Sequence, residues 1–133
     1  MIGVKIFAET MGQAGDDMFK CDKNAGRGMH FIVNGWCLSA QAGWGNYCSA
    51  DPSRSHCKLT HDTIRHDCEI ALWKAVDNAT NMIKLDSDTV MGWVKWDMVF
   101  DIIQWLRKQK DIPTEKQVRS KVLDLRKYYD KEE

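Results

Sequence analysis

The chain has 133 residues, 44% of them hydrophobic and 29% charged, with nineteen basic side chains balanced by nineteen acidic ones. That length suits one domain burying roughly two-thirds of its surface, and two prolines and nine glycines exclude a fibrous or low-complexity chain. No apolar run approaches the ~18 residues of a membrane span, residues 1–9 are too short and mixed for an export signal, and zero net charge excludes a uniformly basic nucleic-acid coat. A soluble, cytoplasmic protein is the expectation.

Val4, Ile6 and Ala8 alternate with Lys5, Phe7 and Glu9, a pattern that predicts a short first strand. Residues 11–28 carry four glycines and read as an irregular or loosely helical insertion. Phe31, Ile32 and Val33 precede Asn34-Gly35, and Trp36, Cys37 and Leu38 follow. An Asn-Gly pair between two apolar runs predicts a β-hairpin, because both residues tolerate the positive φ of a type I′ turn. The second strand runs into a Gly43-Trp44-Gly45 turn, and residues 49–67 form a polar, histidine-containing loop.

Further strands are expected at Ile70–Trp73, at Met82–Leu85 ahead of Asp86-Ser87-Asp88, and at Val90–Val94 around Gly92. From Trp96 the period changes. Trp96, Val99, Phe100, Ile103 and Leu106 recur at helical spacing, with Asp97 in the first turn or at the cap and basic residues in a last turn ending near Lys110. Pro113 interrupts the pattern. Thr114 and Gln117, three apart, fit a capping box for a second helix that buries Val118, Val122, Leu125 and Tyr129. The fold class is therefore α+β: an antiparallel β-meander sheet over residues 1–95, then two C-terminal helices over residues 96–131, in a single domain.

Five cysteines without an export signal read as free thiols. Cys48, Cys57, His61, His66 and Cys68 offer thiolate and imidazole ligands for zinc, although no C-x-x-C knuckle orients a first pair, so a zinc-stabilised domain is an alternative. There is no P-loop, G-x-G-x-x-G, H-E-x-x-H or G-x-S-x-G motif, and Cys57 beside His56 or His61 lacks any recognisable nucleophile signature. The C-terminal third combines aromatic and basic residues: Trp93, Trp96 and Trp105, then nine Lys or Arg against four Asp or Glu from Arg107 to Lys131. Indole stacking with guanidinium forks suits a base that carries a phosphate, and the same pattern suits a solvated basic face whose tryptophans point inward.

The stretch Phe31 to Gly43, with Gly45-Asn46-Tyr47-Cys48, then Cys68 to Trp73, Asp88 to Trp93 and Asp97-Met98-Val99, resembles the first family of phage anti-Thoeris proteins, the sponge type of Thoeris anti-defence protein. The resemblance covers about residues 29 to 110. It implies a chain that does no chemistry and needs no cofactor. Such proteins capture cyclic ADP-ribose isomers made by a bacterial defence enzyme, and some assemble into dimers and hexamers that also bind cyclic oligonucleotides. It also implies an antiparallel sheet with C-terminal helices, a place in the cytoplasm of the infected bacterial host, and no membrane or long nucleic acid as partner. The 11–28 insertion departs from the compact family pattern and could cap a pocket or alter the assembly.

The resemblance supplies no ligand residues, so the candidates rest on chemistry. Trp93 or Trp96 would stack on the base, Gln104 would meet a base or ribose edge, and Arg107, Arg119 and Arg126 would grip phosphates. The rival from another class is a phage inhibitor that docks directly on a host defence enzyme through exposed tryptophans.

Overall fold

The computed structural model describes residues 2–9, 26–42, 67–77 and 81–131, with side chains for 28–42, 67–77 and 81–131. Five strands, β1 (Ile2–Glu9), β2 (Gly26–Val33), β3 (Trp36–Ala42), β4 (Asp67–Lys74) and β5 (Met91–Lys95), lie side by side in chain order. Every neighbouring pair is antiparallel. Two helices follow, α1 (Trp96–Lys108) and α2 (Glu115–Asp130). The architecture is α+β, as the order of strand and helix patterns predicts. No helix among the described residues is long and apolar enough to cross a membrane.

Alternation assigns the two faces of the sheet. Phe31, Val33, Trp36, Leu38, Ala40, Ile70 and Leu72 are buried in one cluster with Met98, Val99, Ile102, Ile103 and Leu106 of α1 and Val118 and Val122 of α2. Burying these apolar stripes is the main drive that seats the helices. Trp36, fully buried, donates its indole N–H to the Pro113 carbonyl at 2.9 Å, so its one polar atom is satisfied. The opposite face holds His30, Cys37, Ser39, Ala71 and Trp73. There Met82 and Val90 pack against the buried Cys37, Ala71 and Trp73, and His30 meets Trp73 edge-on with ring centroids 5.1 Å apart.

The hairpin forms where Asn34-Gly35 places it. Val33 pairs with Trp36, and Asn34 and Gly35 take φ of 45° and 79°, both left-handed. The turn is also an anchor. Asn34 Nδ2 donates to the carbonyls of Leu106 at 2.9 Å and Gln109 at 3.1 Å, adding to the single 3.4 Å bond that the Gln109 N–H gives the Leu106 carbonyl at the end of α1. At the start of α2 the capping box is present: Gln117 N–H donates to Thr114 Oγ1, and Thr114 N–H donates to Gln117 Oε1.

Four expectations are revised. β2 begins at Gly26, so the irregular insertion ends sooner than Gly28; a Cβ at Gly28 would stand 2.5 Å from the Ala40 carbonyl oxygen, so this glycine serves close strand approach rather than a turn. Residues 82–85 form no strand. Ile83 and Leu85 are buried pegs, and the backbone makes one bond to β4 (Ile83 N–H to the Leu72 carbonyl) before Leu85 N–H turns back to Asp88. In α1 the buried stripe takes Met98 and Ile102 and leaves Phe100 half exposed, because Val99, Ile103 and Leu106 set a phase that turns position 100 outward. That helix ends at Lys108, two residues early. The Gly43–Gly45 turn, the polar loop up to residue 66 and most of the 11–28 insertion lie outside the described residues.

Candidate functional site

The register of β5 against β4 shifts between Cys68 and Ile70, and Trp93 sits in this irregularity with φ 51°. The shift lets both Met91 and Val94 enter the core, although regular alternation would send only one of them inward. Trp93 is turned out as a result and stands 56% exposed. A left-handed conformation costs a bulky residue roughly 1–2 kcal/mol, and Arg126 is what braces it. The Arg126 fork donates to the Gly92 carbonyl at 2.9 Å and the Trp93 carbonyl at 3.1 Å, so Trp93 and Arg126 are brought together through the backbone.

Arg119 is used in the same way. Its Nε donates to the Lys84 carbonyl at 2.6 Å, and its Nη2 pairs with Glu115 at 2.7 Å. Both guanidinium groups thus fasten α2 to β5 and to the segment before it. Trp96 is the half-buried first residue of α1 and packs against the core. Gln104 and Arg107 are exposed on α1, and no hydrogen bond or ion pair among the described residues joins them to the other candidates. None of the six residues chosen from sequence lines the groove that the two helices form.

That groove lies on the other side of α2 from Arg119 and Arg126. Shallow and open, at about 340 Å³, it is lined by Trp105 of α1 and by Lys116, Gln117, Ser120, Lys121 and Asp124 of α2. Trp105 packs one part of its indole against the core and offers the rest to the groove. Among the described residues Lys116, Lys121 and Asp124 make no ion pair, so two ammonium groups and one carboxylate stand ready for a ligand. Beyond the groove, Tyr129 of α2 donates its hydroxyl to the Asp101 carboxylate of α1, a bond that ties the helices together. Desolvation first, then the bond to Asp101 and its negative charge, raise the Tyr129 hydroxyl well above the ordinary phenol range.

No family model, curated protein or solved structure matches the chain. Cys48, Cys57, His61 and His66 of the zinc alternative lie outside the described residues. Cys68, the fifth member, is buried, forms no disulfide among the described residues, and donates its thiol to the Val94 carbonyl at 3.5 Å. Among the described residues no group of three or more His, Cys, Asp or Glu could hold a metal ion.

The signal for the groove was in the helix phase. With Val118 and Val122 inward, Gln117 and Lys121, four apart, occupy one flank of α2, while Arg119 and Arg126, seven apart, occupy the other. The Arg flank faces β5 and the preceding segment. The Lys flank faces Trp105.

Proposed function

We propose that this chain is a phage-encoded sponge that binds a cyclic nucleotide immune signal in the cytoplasm of the infected bacterial host and withholds it uncleaved. The observation that carries the reading is the groove in which an indole meets two ammonium groups without ion-pair partners. Stacking on one ring contributes about 1–3 kcal/mol per base, and an ammonium is a mobile point charge that follows a diester. Capture needs tight binding and slow release, with no water aimed at the phosphodiester or pyrophosphate, so a general acid and base would work against it. The α+β order and the resemblance to the sponge type of anti-Thoeris protein support the same reading.

At about 340 Å³ the groove stands near the lower end of small-molecule sites, which span about 300–1,000 Å³. It holds one base and its phosphate rather than a whole cyclic nucleotide. A second copy of the chain closing over the open side would enclose the remainder, so the sponge acts as a homo-oligomer, a dimer or hexamer.

The test is a melting-temperature screen of the intact chain against cyclic ADP-ribose isomers and cyclic di- and trinucleotides. A ligand present at a hundred times its dissociation constant stabilises the native state by about 2.7 kcal/mol. Heat release followed by chromatography should return the ligand intact. Silence across the panel, or cleaved product, rejects the proposal.

One observation favours a second reading: the outward indole of Trp93, 56% exposed and braced by Arg126, suits direct docking on a host defence enzyme. That reading predicts a stable protein complex that Trp93→Ala abolishes, and no thermal shift with nucleotides.

A further inference from the structure

Asp124 is the group in the groove whose charge opposes an anionic ligand, and it makes no hydrogen bond or ion pair among the described residues that would neutralise it. Lys121 lies three residues earlier on the same helix, in reach of an i,i+3 pair, yet the two do not bond. A carboxylate is an acceptor with two oxygens and no donor, so beside a phosphate it is repulsive unless the ligand brings N–H groups to it.

The order of charges along α2 gives the ligand a direction. Lys116 stands in the first turn, where the helix dipole disfavours a cation and favours an anion. Lys121 follows about 7.5 Å along the axis, and Asp124 about 4.5 Å beyond that, at 1.5 Å per residue. Phosphate therefore belongs at the Lys116 and Lys121 end, and the far edge of a base stacked on Trp105 belongs at Asp124.

We infer that Asp124 selects the base: its two carboxylate oxygens receive the adjacent N1–H and N2–H donors of guanine, so the groove takes a guanine-bearing cyclic nucleotide over an adenine-bearing one. The inference rests on the nucleotide-capture reading above. Adenine presents a single amino donor beside the N1 acceptor on the corresponding edge, so one oxygen of Asp124 would face a lone pair. A good bidentate pair discriminates between bases by about 1–3 kcal/mol, which is roughly five- to 150-fold in affinity. Asparagine keeps the shape but replaces one acceptor with a donor, the pattern that adenine matches.

The experiment is isothermal titration of the full chain with cyclic di-GMP and cyclic di-AMP, on wild type, Asp124→Asn, Asp124→Ala and, as a charge control, Lys74→Ala at the exposed end of β4. Wild type and Lys74→Ala should prefer cyclic di-GMP at least about fivefold. Asp124→Asn should bring the ratio to one or below, and Asp124→Ala should weaken cyclic di-GMP alone, with far-UV spectra unchanged. Equal binding of the two dinucleotides by wild type, or a ratio that Asp124→Asn leaves unmoved, overturns the role of Asp124 while capture stands. No heat from either dinucleotide overturns it as well, and capture itself falls only if the cyclic ADP-ribose isomers and cyclic trinucleotides are silent too.

Discussion

Asn34 performs two tasks that substitution can separate. It holds a left-handed φ of 45° in the hairpin turn, and its amide donates to the Leu106 and Gln109 carbonyls at the end of α1. Asn34→Gly keeps the turn and removes the amide. Two hydrogen bonds at about 0.5–1.5 kcal/mol each make the expected loss about 1–3 kcal/mol. Asn34→Ala loses the same bonds and also forces a Cβ into the left-handed region, where asparagine is tolerated far better. The left-handed cost of roughly 1–2 kcal/mol exceeds the chain-entropy cost of glycine, about 0.5–1 kcal/mol, so alanine should be the worse of the two. Asn34→Asp should be the worst, because a carboxylate would face carbonyl oxygens at the negative end of a helix. Urea unfolding at constant m-value measures the series, and about 2 kcal/mol would show as a drop in Tm of several degrees. An Asn34→Gly variant as stable as wild type, or an Asn34→Ala variant equal to Asn34→Gly, would refute the assignment of that amide as a helix cap and of that backbone as strained.

Arg126→Ala should cost about 1 kcal/mol, since the two carbonyls it serves are partly open to water, and the emission of Trp93 should change as its brace is lost. Arg126→Lys should behave like alanine, because one ammonium does not reproduce the fork; full rescue by lysine would contradict this. Tyr129→Phe should lose about 1 kcal/mol with the interhelical bond to Asp101. Because the Tyr129 hydroxyl is raised in the folded state, its contribution is complete below the ordinary phenol value of 10.0 and is lost as pH climbs above it. Stability of wild type should therefore fall with rising alkaline pH more steeply than that of Tyr129→Phe, and parallel curves would remove the coupling. Lys121→Ala should weaken cyclic nucleotide binding and lower its salt dependence, while Trp105→Phe should retain part of the stacking; titrations identical to wild type for both would move the site off the groove.

The parts of this fold that were legible in the sequence are those fixed within a few residues. Asn34-Gly35 dictates a turn by its tolerance of positive φ, and Thr114 with Gln117 dictates a helix start by reciprocal bonding. Burial was legible too, but burial is not pairing. Ile83 and Leu85 alternate like a strand and are buried like one, yet β5 takes part of the β4 edge and only the Leu72 carbonyl is left to Ile83. The β5 irregularity leaves no mark in an apolar pattern, so the outward turn of Trp93 could not be read. The i,i+4 pairs of Arg119 with Glu115 and of Arg126 with Asp130 were open to reading, but the backbone carbonyls 35, 34 and 33 positions away that the two guanidinium groups also serve carry no residue identity. The groove depends on how α1 crosses α2, a relation set by packing rather than by either helix alone.

What α2 shows is a division of labour between its two kinds of cation. A guanidinium is a rigid planar fork and matches fixed oxygens, and the Gly92 and Trp93 carbonyls are such a pair. Spending Arg119 and Arg126 on the backbone locks the helix against β5 and the segment before it, and holds the opposite flank of α2 at a set position over Trp105. An ammonium on a flexible stem adapts to an anion whose position varies, and Lys116 and Lys121, which both line the groove, remain without ion-pair partners among the described residues. Arginine was the natural choice for phosphate on chemical grounds alone. The fold uses it to build the platform and leaves the charges to lysine, so loss of an arginine should be felt first in stability and loss of a lysine first in affinity.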